Sequence, residues 1–201
     1  MEILSFKLKS KTNSNIFVVV ADNGEYIFHS EIIVKYGISK GQFDEEIFLK
    51  AKQESDELIA LSFAMKYVSS NIKTEKQIKD YLYKKEFTKP IVDNVINKLK
   101  EYNVVDDKAY ADMYVKSNPS FSKRKVQQKL NSFGVKKDLT DEICEQVDDE
   151  ESCLKNSQKF MRTKVADKKT QEKLIRRLSY LGYNWETIRK TLNKLNIETE
   201  E

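Results

Sequence analysis

Residues 122–135 read Ser-Lys-Arg-Lys-Val-Gln-Gln-Lys-Leu-Asn-Ser-Phe-Gly-Val, and this stretch decides the fold. Val126 and Leu130 stand one helical turn apart, Ser122 can accept a hydrogen bond from the free N–H groups of a helix start, and Gly134 can adopt the left-handed conformation that ends a helix. The pattern recurs at a spacing of 48 residues in both directions. Met65, Met113 and Met161 align, as do Ile78, Val126 and Leu174; Leu82, Leu130 and Leu178; Phe87, Val135 and Tyr183; and Leu99, Val147 and Leu195. Two columns break, since Ile91 and Leu139 meet Thr187 while Val95 and Ile143 meet Thr191, and the last unit compensates one position later with Ile188 and Leu192. Self-similarity at a fixed period marks a chain built from repeated units, each too small to bury its apolar face alone.

Within each unit the apolar spacing is helical, and the punctuation predicts three helices joined by short turns. In the central unit they are expected near 107–116, 122–133 and 137–148. Thr74 and Ser122 are placed to cap the middle helices, Pro119 falls in the turn before Phe121, and Gly134 and Gly182 follow middle helices. The first unit has Glu86 where the others have glycine, so its turn is expected to form differently. Working outward, the N-terminal residues change character. Ile16-Phe17-Val18-Val19-Val20 is β-branched, Asp22-Asn23-Gly24 is a hairpin turn, and Tyr26-Ile27-Phe28 returns from it. Leu4, Phe6 and Leu8 alternate with polar residues, which predicts a third strand with one apolar face. Ser30 should cap a short helix ending near Gly37, and Asp44 should open a longer one running to about Ser69. The expected fold is mainly α: three tandem three-helix repeats (56–104, 105–150 and 151–201) forming an elongated curved stack, preceded by a small β-hairpin segment with short helices (1–55).

Composition agrees with helix: 34% of the residues are charged, while there are 5 glycines and 2 prolines in 201 residues. The net charge of +4 is small, yet it is segregated. Residues 136–153 hold two lysines against eight acids, and residues 154–195 hold twelve basic residues against Asp167, Glu172 and Glu186. The acidic run Asp148-Asp149-Glu150-Glu151 is read as a linker between units. Cys144 and Cys153 form no Cys-x-x-Cys pair and lie far in sequence from His29, the single histidine, which argues against a disulfide framework or a zinc site. The opening residues lack the apolar core of a signal peptide, and no run approaches the length of a membrane span, so a cytoplasmic protein with no membrane contact is expected. His29 has no evident Ser or Cys partner and no phosphate-cradling glycine loop is present. The chain is therefore expected to bind rather than catalyse, with no cofactor and no metal.

Val105-Asp106-Asp107-Lys108-Ala109-Tyr110-Ala111-Asp112-Met113-Tyr114-Val115 resembles the hydrophobic-Asp-Asp-x-x-aromatic-Ala-x-x-aromatic-Val signature of the RecX family. Val126-x-x-x-Leu130-x-x-x-Gly134-Val135 is similar to the helix and turn that follow in that family. Ala64-x-x-Tyr67-Val68 with Thr74-Glu75-x-x-Ile78-x-x-x-Leu82 matches its first unit. Phe133 stands where a lysine often precedes the glycine, and the third unit keeps only Gly182-Tyr183. The resemblance implies a regulator of DNA recombination, repair and the SOS response. Such a protein binds the filament of RecA on single-stranded DNA and limits its activities, and a monomer is expected.

The candidate contact residues are Lys123, Arg124, Lys125 and Lys129 on the middle helix of the central unit and Lys173, Arg176 and Arg177 on that of the last. Lys125 and Lys173, and Lys129 and Arg177, share the 48-residue spacing, so repeated cations could follow phosphates or carboxylates. They could equally be solvated helix faces. Asp106 and Asp107 are read as caps, Tyr110 and Tyr114 as core packing in preference to a base-stacking platform, and Trp185 as a half-exposed packing residue. A direct nucleic-acid-binding protein and an adaptor for another, acidic protein are the alternatives.

Overall fold

The structure, a computed structural model, describes residues 1–10 and 13–197. The chain divides into two compact units, Met1–Val105 and Asp106–Glu201. Among the described residues the first unit holds four antiparallel strands, β1 (Glu2–Ser10), β2 (Asn13–Ala21), β3 (Gly24–His29) and the short β4 (Gly41–Gln42), in the order β3-β2-β1-β4. The β2–β3 hairpin is the one expected at Asp22-Asn23, with Ala21 paired to Gly24. β1 joins as foreseen, with Phe6 inward but one member of the expected face exchanged. Ile3 pairs with Ala21 and Ser5 with Val20, so Leu4 is the extra residue of a bulge. That bulge puts Ile3 in the core and leaves Leu4 half exposed, while Phe6 packs on the core and Leu8 lies at its uncovered end.

Helix α1 (Ser30–Lys35) is capped by His29 and not by Ser30, because His29 Nδ1 accepts the Glu31 N–H at 3.3 Å. The lone histidine thereby has a structural occupation. Helix α2 (Glu45–Val68) starts at Asp44, whose carboxylate accepts the Ile47 N–H at 2.9 Å. It runs without interruption across position 55. Phe48 and Ala51 in its first half close the sheet's core with Val19, Phe28, Ile32 and Ile38, while Ala60 and Ala64 in its second half belong to a second core.

That second core is the first three-helix set, completed by α3 (Glu75–Tyr83) and α4 (Lys89–Glu101). The second unit contains two further sets: α5 (Asp107–Ser117), α6 (Lys123–Ser132) and α7 (Lys137–Cys144), then α8 (Asp149–Met161), α9 (Lys168–Tyr180) and α10 (Trp185–Lys194). Leu82, Leu130 and Leu178 have no exposed surface, and Ile78, Val126 and Leu174 at most 1%. Burying each such side chain stabilises its set by roughly 1.5–3 kcal/mol. The 48-residue register survives where apolarity fails, since Thr187 and Thr191 are buried at the positions of Ile91 and Val95. The neighbouring positions are buried in all three sets too, as Val92, Thr140 and Ile188, and as Ile96, Cys144 and Leu192. Thr88, Lys136 and Asn184, at the same spacing, are the N-caps of α4, α7 and α10.

Four further expectations need correcting. Met65 and Met113 are about two-fifths exposed, so the methionine column lies at the border of the cores and not within them. Glu86 adopts φ of 66°, the same left-handed conformation as Gly134 (86°) and Gly182 (97°), so the first turn forms as the others do, with a side chain the conformation disfavours. The acidic run is no linker. Asp148 caps α8 by accepting the Glu150 and Glu151 N–H groups, and the next three acids form the helix's first turn, where they complement its dipole. Helix α7 also stops at Cys144, short of the expected 148.

Candidate functional site

The three middle helices differ in charge. α3 carries Lys76 and Lys79 against Glu75 and Asp80. α6 carries Lys123, Arg124, Lys125 and Lys129 with no acid, and α9 carries Lys168, Lys169, Lys173, Arg176 and Arg177 against Glu172 alone. The charges on α3 are also neutralised in place. Lys76 pairs with Asp80 at 2.7 Å, Lys79 with Glu75 at 2.7 Å, and Lys100 of α4 with Glu75 at 2.6 Å. Partial burial works against ionisation of Glu75, but the hydrogen bonds from Lys100 and Lys79 outweigh it and hold the carboxyl below its usual range.

The seven candidate cations are arranged otherwise. Among the described residues, Arg176 alone of the seven holds an ion pair, with Glu172 one turn back on α9 at 3.3 Å. That pair is exposed on both sides, and pairs of its kind contribute only about 0.3–0.5 kcal/mol, so its guanidinium remains open to exchange. Arg124, Lys129, Lys173 and Arg177 are exposed, and Lys123 and Lys125 are partly covered.

The packing of the third set against the second explains which of these residues come together. The start of α6 is held by groups from the third set: the Ser122 N–H donates to the Leu181 carbonyl at 3.0 Å and the Lys123 N–H to the Asp149 carboxylate at 2.6 Å. Gly182 fits there because it has no Cβ; one built on it would lie 2.7 Å from Lys125 Cβ and closer still to Ser122 Oγ. Behind this contact, Tyr183 donates its hydroxyl to the Ser120 carbonyl at 3.0 Å and accepts from Asn156 at 3.1 Å, and burial pushes its pKa up to about 12.

The junction sets the end of α9 beside the beginning of α6, and Lys125 Nζ lies 4.7 Å from the centroid of the Tyr180 ring. Lys129 stands one turn beyond Lys125, Arg177 and Arg176 stand one turn before Tyr180, and Lys173 one turn before those. Two helices thus form one stripe, Lys129-Lys125-Tyr180-Arg177-Lys173, with Arg176 beside it, joined where Lys125 meets Tyr180. Arg124 and Lys123 lie on other sides of α6 and are not placed on the stripe by any contact. Tyr180 is the member that sequence reasoning passed over. It is 73% exposed, and the signal was available, because the apolar phase of α9 runs through Leu174, Leu178 and Leu181 and leaves Tyr180 outside it.

Other basic residues of the chain's last segment do hold carboxylates, Lys155 pairing with Glu151 at 2.6 Å. Lys190 and Lys194 of α10 pair with Glu150 at 3.3 and 3.2 Å, and these hydrogen bonds, Lys194 first, lower the pKa of Glu150. The Asp106 carboxylate accepts the Lys108 and Ala109 N–H groups, so it caps α5. Tyr110 is buried and packs with Tyr114 and Phe133 in the core of the second set, which assigns the pair to packing and not to a stacking platform. Trp185, the first residue of α10, is 56% exposed. Cys144 and Cys153 are buried free thiols. Among the described residues no helix is long and apolar enough to cross a membrane.

The chain is similar in sequence and fold to known proteins. Residues 60–99, comprising the second half of α2 with α3 and most of α4, match the model of the RecX first three-helix domain. The regulatory protein RecX of Clostridium perfringens strain SM101 is 29% identical over 203 residues, covering 96% of each chain, and that of Clostridium botulinum strain Eklund 17B is 29% identical over 207 residues, covering 98% of each. A crystal structure of regulatory protein RecX superposes with a TM-score of 0.64 at 18% identity over 96% of this chain and 98% of its own. That of RecX from Lactobacillus salivarius gives 0.60 at 20% identity over 71% and 98%.

Proposed function

We propose that this chain, similar to RecX regulatory proteins along nearly its whole length, acts as a member of the RecX family: a non-enzymatic, monomeric cytoplasmic regulator that binds the RecA–single-stranded-DNA filament. Contact is made through the cations of α6 and α9. The observation that carries the reading is the stripe itself: cations on two helices whose ends meet, with one exposed intrahelical pair among them, are available to a polyanion or to carboxylates of a protein polymer. Relatives covering nearly the whole chain are named regulatory proteins, which supports a role in control rather than in chemistry. Bound along the filament, such a protein alters its growth, its stability or its ATP turnover, while the bond-making stays with the filament.

The test is reversal of Lys125, Lys129, Arg176 and Arg177 to Glu, with helical content and melting temperature as the folding control. Binding to RecA–DNA filaments should fall by about two orders of magnitude, and modulation of strand exchange and ATP hydrolysis should be lost with it. Unchanged binding by the folded variant removes the stripe from the proposal, and absence of any effect of the unmodified protein at saturating concentration removes the partner. The exposed Tyr180 beside the cations supports a second reading, direct binding of single-stranded nucleic acid, with phosphates on the stripe and a base on the ring. Titration with single-stranded DNA at several salt concentrations separates the two. Tight, steeply salt-dependent binding without RecA favours the second reading, and weak DNA binding beside strong filament binding favours the first.

A further inference from the structure

Helix α2 passes along the edge of the sheet and reaches both of its faces. Phe48 packs on the face that carries Phe28, at 5.1 Å between ring centroids. About two turns later Ser55 Oγ accepts the His29 N–H at 2.8 Å, at the end of edge strand β3. Ile59 and Phe63 then extend past that edge towards the other face. The register defines this second face: Lys7 opposes Val18 and Val18 opposes Ile27, so Ile16, Val18 and Ile27 share it with Lys7 and Lys9, while Val19 and Phe28 point the other way.

Between this face and the second half of α2 lies a cleft of about 450 Å³, a size that falls within the roughly 300–1,000 Å³ of small-molecule sites. Its walls include Ile16, Ile27, Ile59 and Phe63, together with Ser62, Lys9 and Lys66. Ile16 and Ile59 are buried, whereas both lysines are exposed and neither forms an ion pair among the described residues. Lys85 adds a third positive charge, 5.6 Å from the centroid of the Phe63 ring.

We infer that this cleft binds a small amphipathic carboxylate, with its aliphatic body on Ile16, Ile27, Ile59 and Phe63 and its charged end at the ammonium groups of Lys9 and Lys66. The chemistry of the walls selects that class. Among the described residues they are aliphatic and aromatic, and the Ser62 hydroxyl already donates to the Ile59 carbonyl at 2.7 Å, so the donors left to a ligand there are the charged ammonium groups. An added peptide strand is disfavoured because the β3 edge is closed at this end by Ser55. Unpaired ammonium groups beside an apolar wall match a ligand with one anionic end.

Sodium decanoate, held below its micelle concentration, is the probe, and the isoleucine methyl resonances of the full chain are the reporter. Saturable shifts of Ile16, Ile27 and Ile59 are expected. Decanol should bind at least about tenfold more weakly, as should decanoate to the Lys9→Glu, Lys66→Glu double variant, whose changes are at exposed positions and should leave the melting temperature close to that of the unaltered protein. Absence of saturable shifts at these methyls overturns the site, and equal affinity for decanol overturns the role of the lysines. Binding to phosphatidylglycerol vesicles with no response to free decanoate reassigns the face to a lipid surface and overturns the small-ligand assignment.

Discussion

Helix α3 and helices α6 and α9 occupy the same place in their three-helix sets, bury the same two columns of side chains, and differ in what they show to solvent. On α3 two bases and two acids cancel, and each lysine has a carboxylate within 2.7 Å. On α6 and α9 nine bases face one acid. Ion pairing of the α3 kind adds little stability at a surface, typically 0–1 kcal/mol, so its scarcity on α6 and α9, where Arg176–Glu172 is the pair described, is no handicap to folding. What it changes is availability. A cation already paired must release its partner before it can meet a new anion, and among the described residues Lys123, Arg124, Lys125, Lys129, Lys173 and Arg177 hold no ion pair that imposes that step. The repeat thus conserves a scaffold while its exposed positions diverge.

The largest effect expected from breaking the comparison lies at the turn after the middle helix. Gly182→Ala places a Cβ against Ser122 and Lys125 in a backbone conformation that disfavours it. Strain and overpacking together should destabilise the second unit by about 2–4 kcal/mol. Urea unfolding of the full chain should show a lowered transition for this unit, and, since the same contact sets Lys125 beside Tyr180, filament binding should weaken at temperatures where the variant remains folded.

Next in size is a contrast between charge reversals. Lys76→Glu with Lys79→Glu on α3 should leave filament affinity within about twofold, whereas the fourfold reversal on α6 and α9 should lower it by about a hundredfold, or roughly 2.7 kcal/mol. Equal losses from both, measured by anisotropy of labelled filament DNA, would show that overall charge and not the stripe governs binding.

A smaller effect concerns Tyr183. Its pKa is pushed up to about 12 chiefly by burial, against an ordinary value near 10. Between those values the unfolded chain has lost a proton that the folded chain retains, so the contribution is complete below about pH 10 and disappears as the pH rises towards 12. It amounts to about 1–2 kcal/mol once partial solvent contact is allowed for. Tyr183→Phe loses the hydrogen bonds to Ser120 and Asn156 and should be less stable at neutral pH, but its stability should fall less between pH 10 and 12 than that of the unaltered protein. Parallel slopes in chemical denaturation at pH 9, 10 and 11 would contradict the assignment.

Much of this comparison was legible in the sequence, because a period of 48 residues carries burial even where it does not carry apolarity. Thr187 and Thr191 break the hydrophobic columns and yet are buried, and the compensating Ile188 and Leu192 turned out to belong to columns of their own. The basic residues could be named from their spacing, and which of them meet could not, since the contact of Lys125 with Tyr180 depends on how the third set docks on the second. Near the N-terminus one inserted residue was decisive. The bulge at Leu4 exchanged Leu4 for Ile3 in the core, and strict alternation has no means of anticipating a bulge. The cap at His29 was hidden because serine at the next position is the stronger capping residue by type.

The smallest expected effect is also the one that tests the equivalence of the repeats most directly. Glu86, Gly134 and Gly182 share a left-handed backbone, and their turns close alike: the N–H of Phe87, Val135 and Tyr183 donates to the carbonyl of Leu82, Leu130 and Leu178. Glutamate meets a steric penalty of about 1–2 kcal/mol in that conformation, while glycine gives up more backbone entropy on folding. Glu86→Gly should therefore stabilise the first unit by a net of about 0.5–1 kcal/mol, without changing filament affinity, because α3 is not part of the stripe. A gain in melting temperature with the hydrogen bond to Leu82 intact would establish that the first turn is a strained copy of the other two. Destabilisation would mean instead that the Glu86 side chain contributes to the fold at this position more than its backbone costs, and that the first repeat's turn follows different chemistry after all.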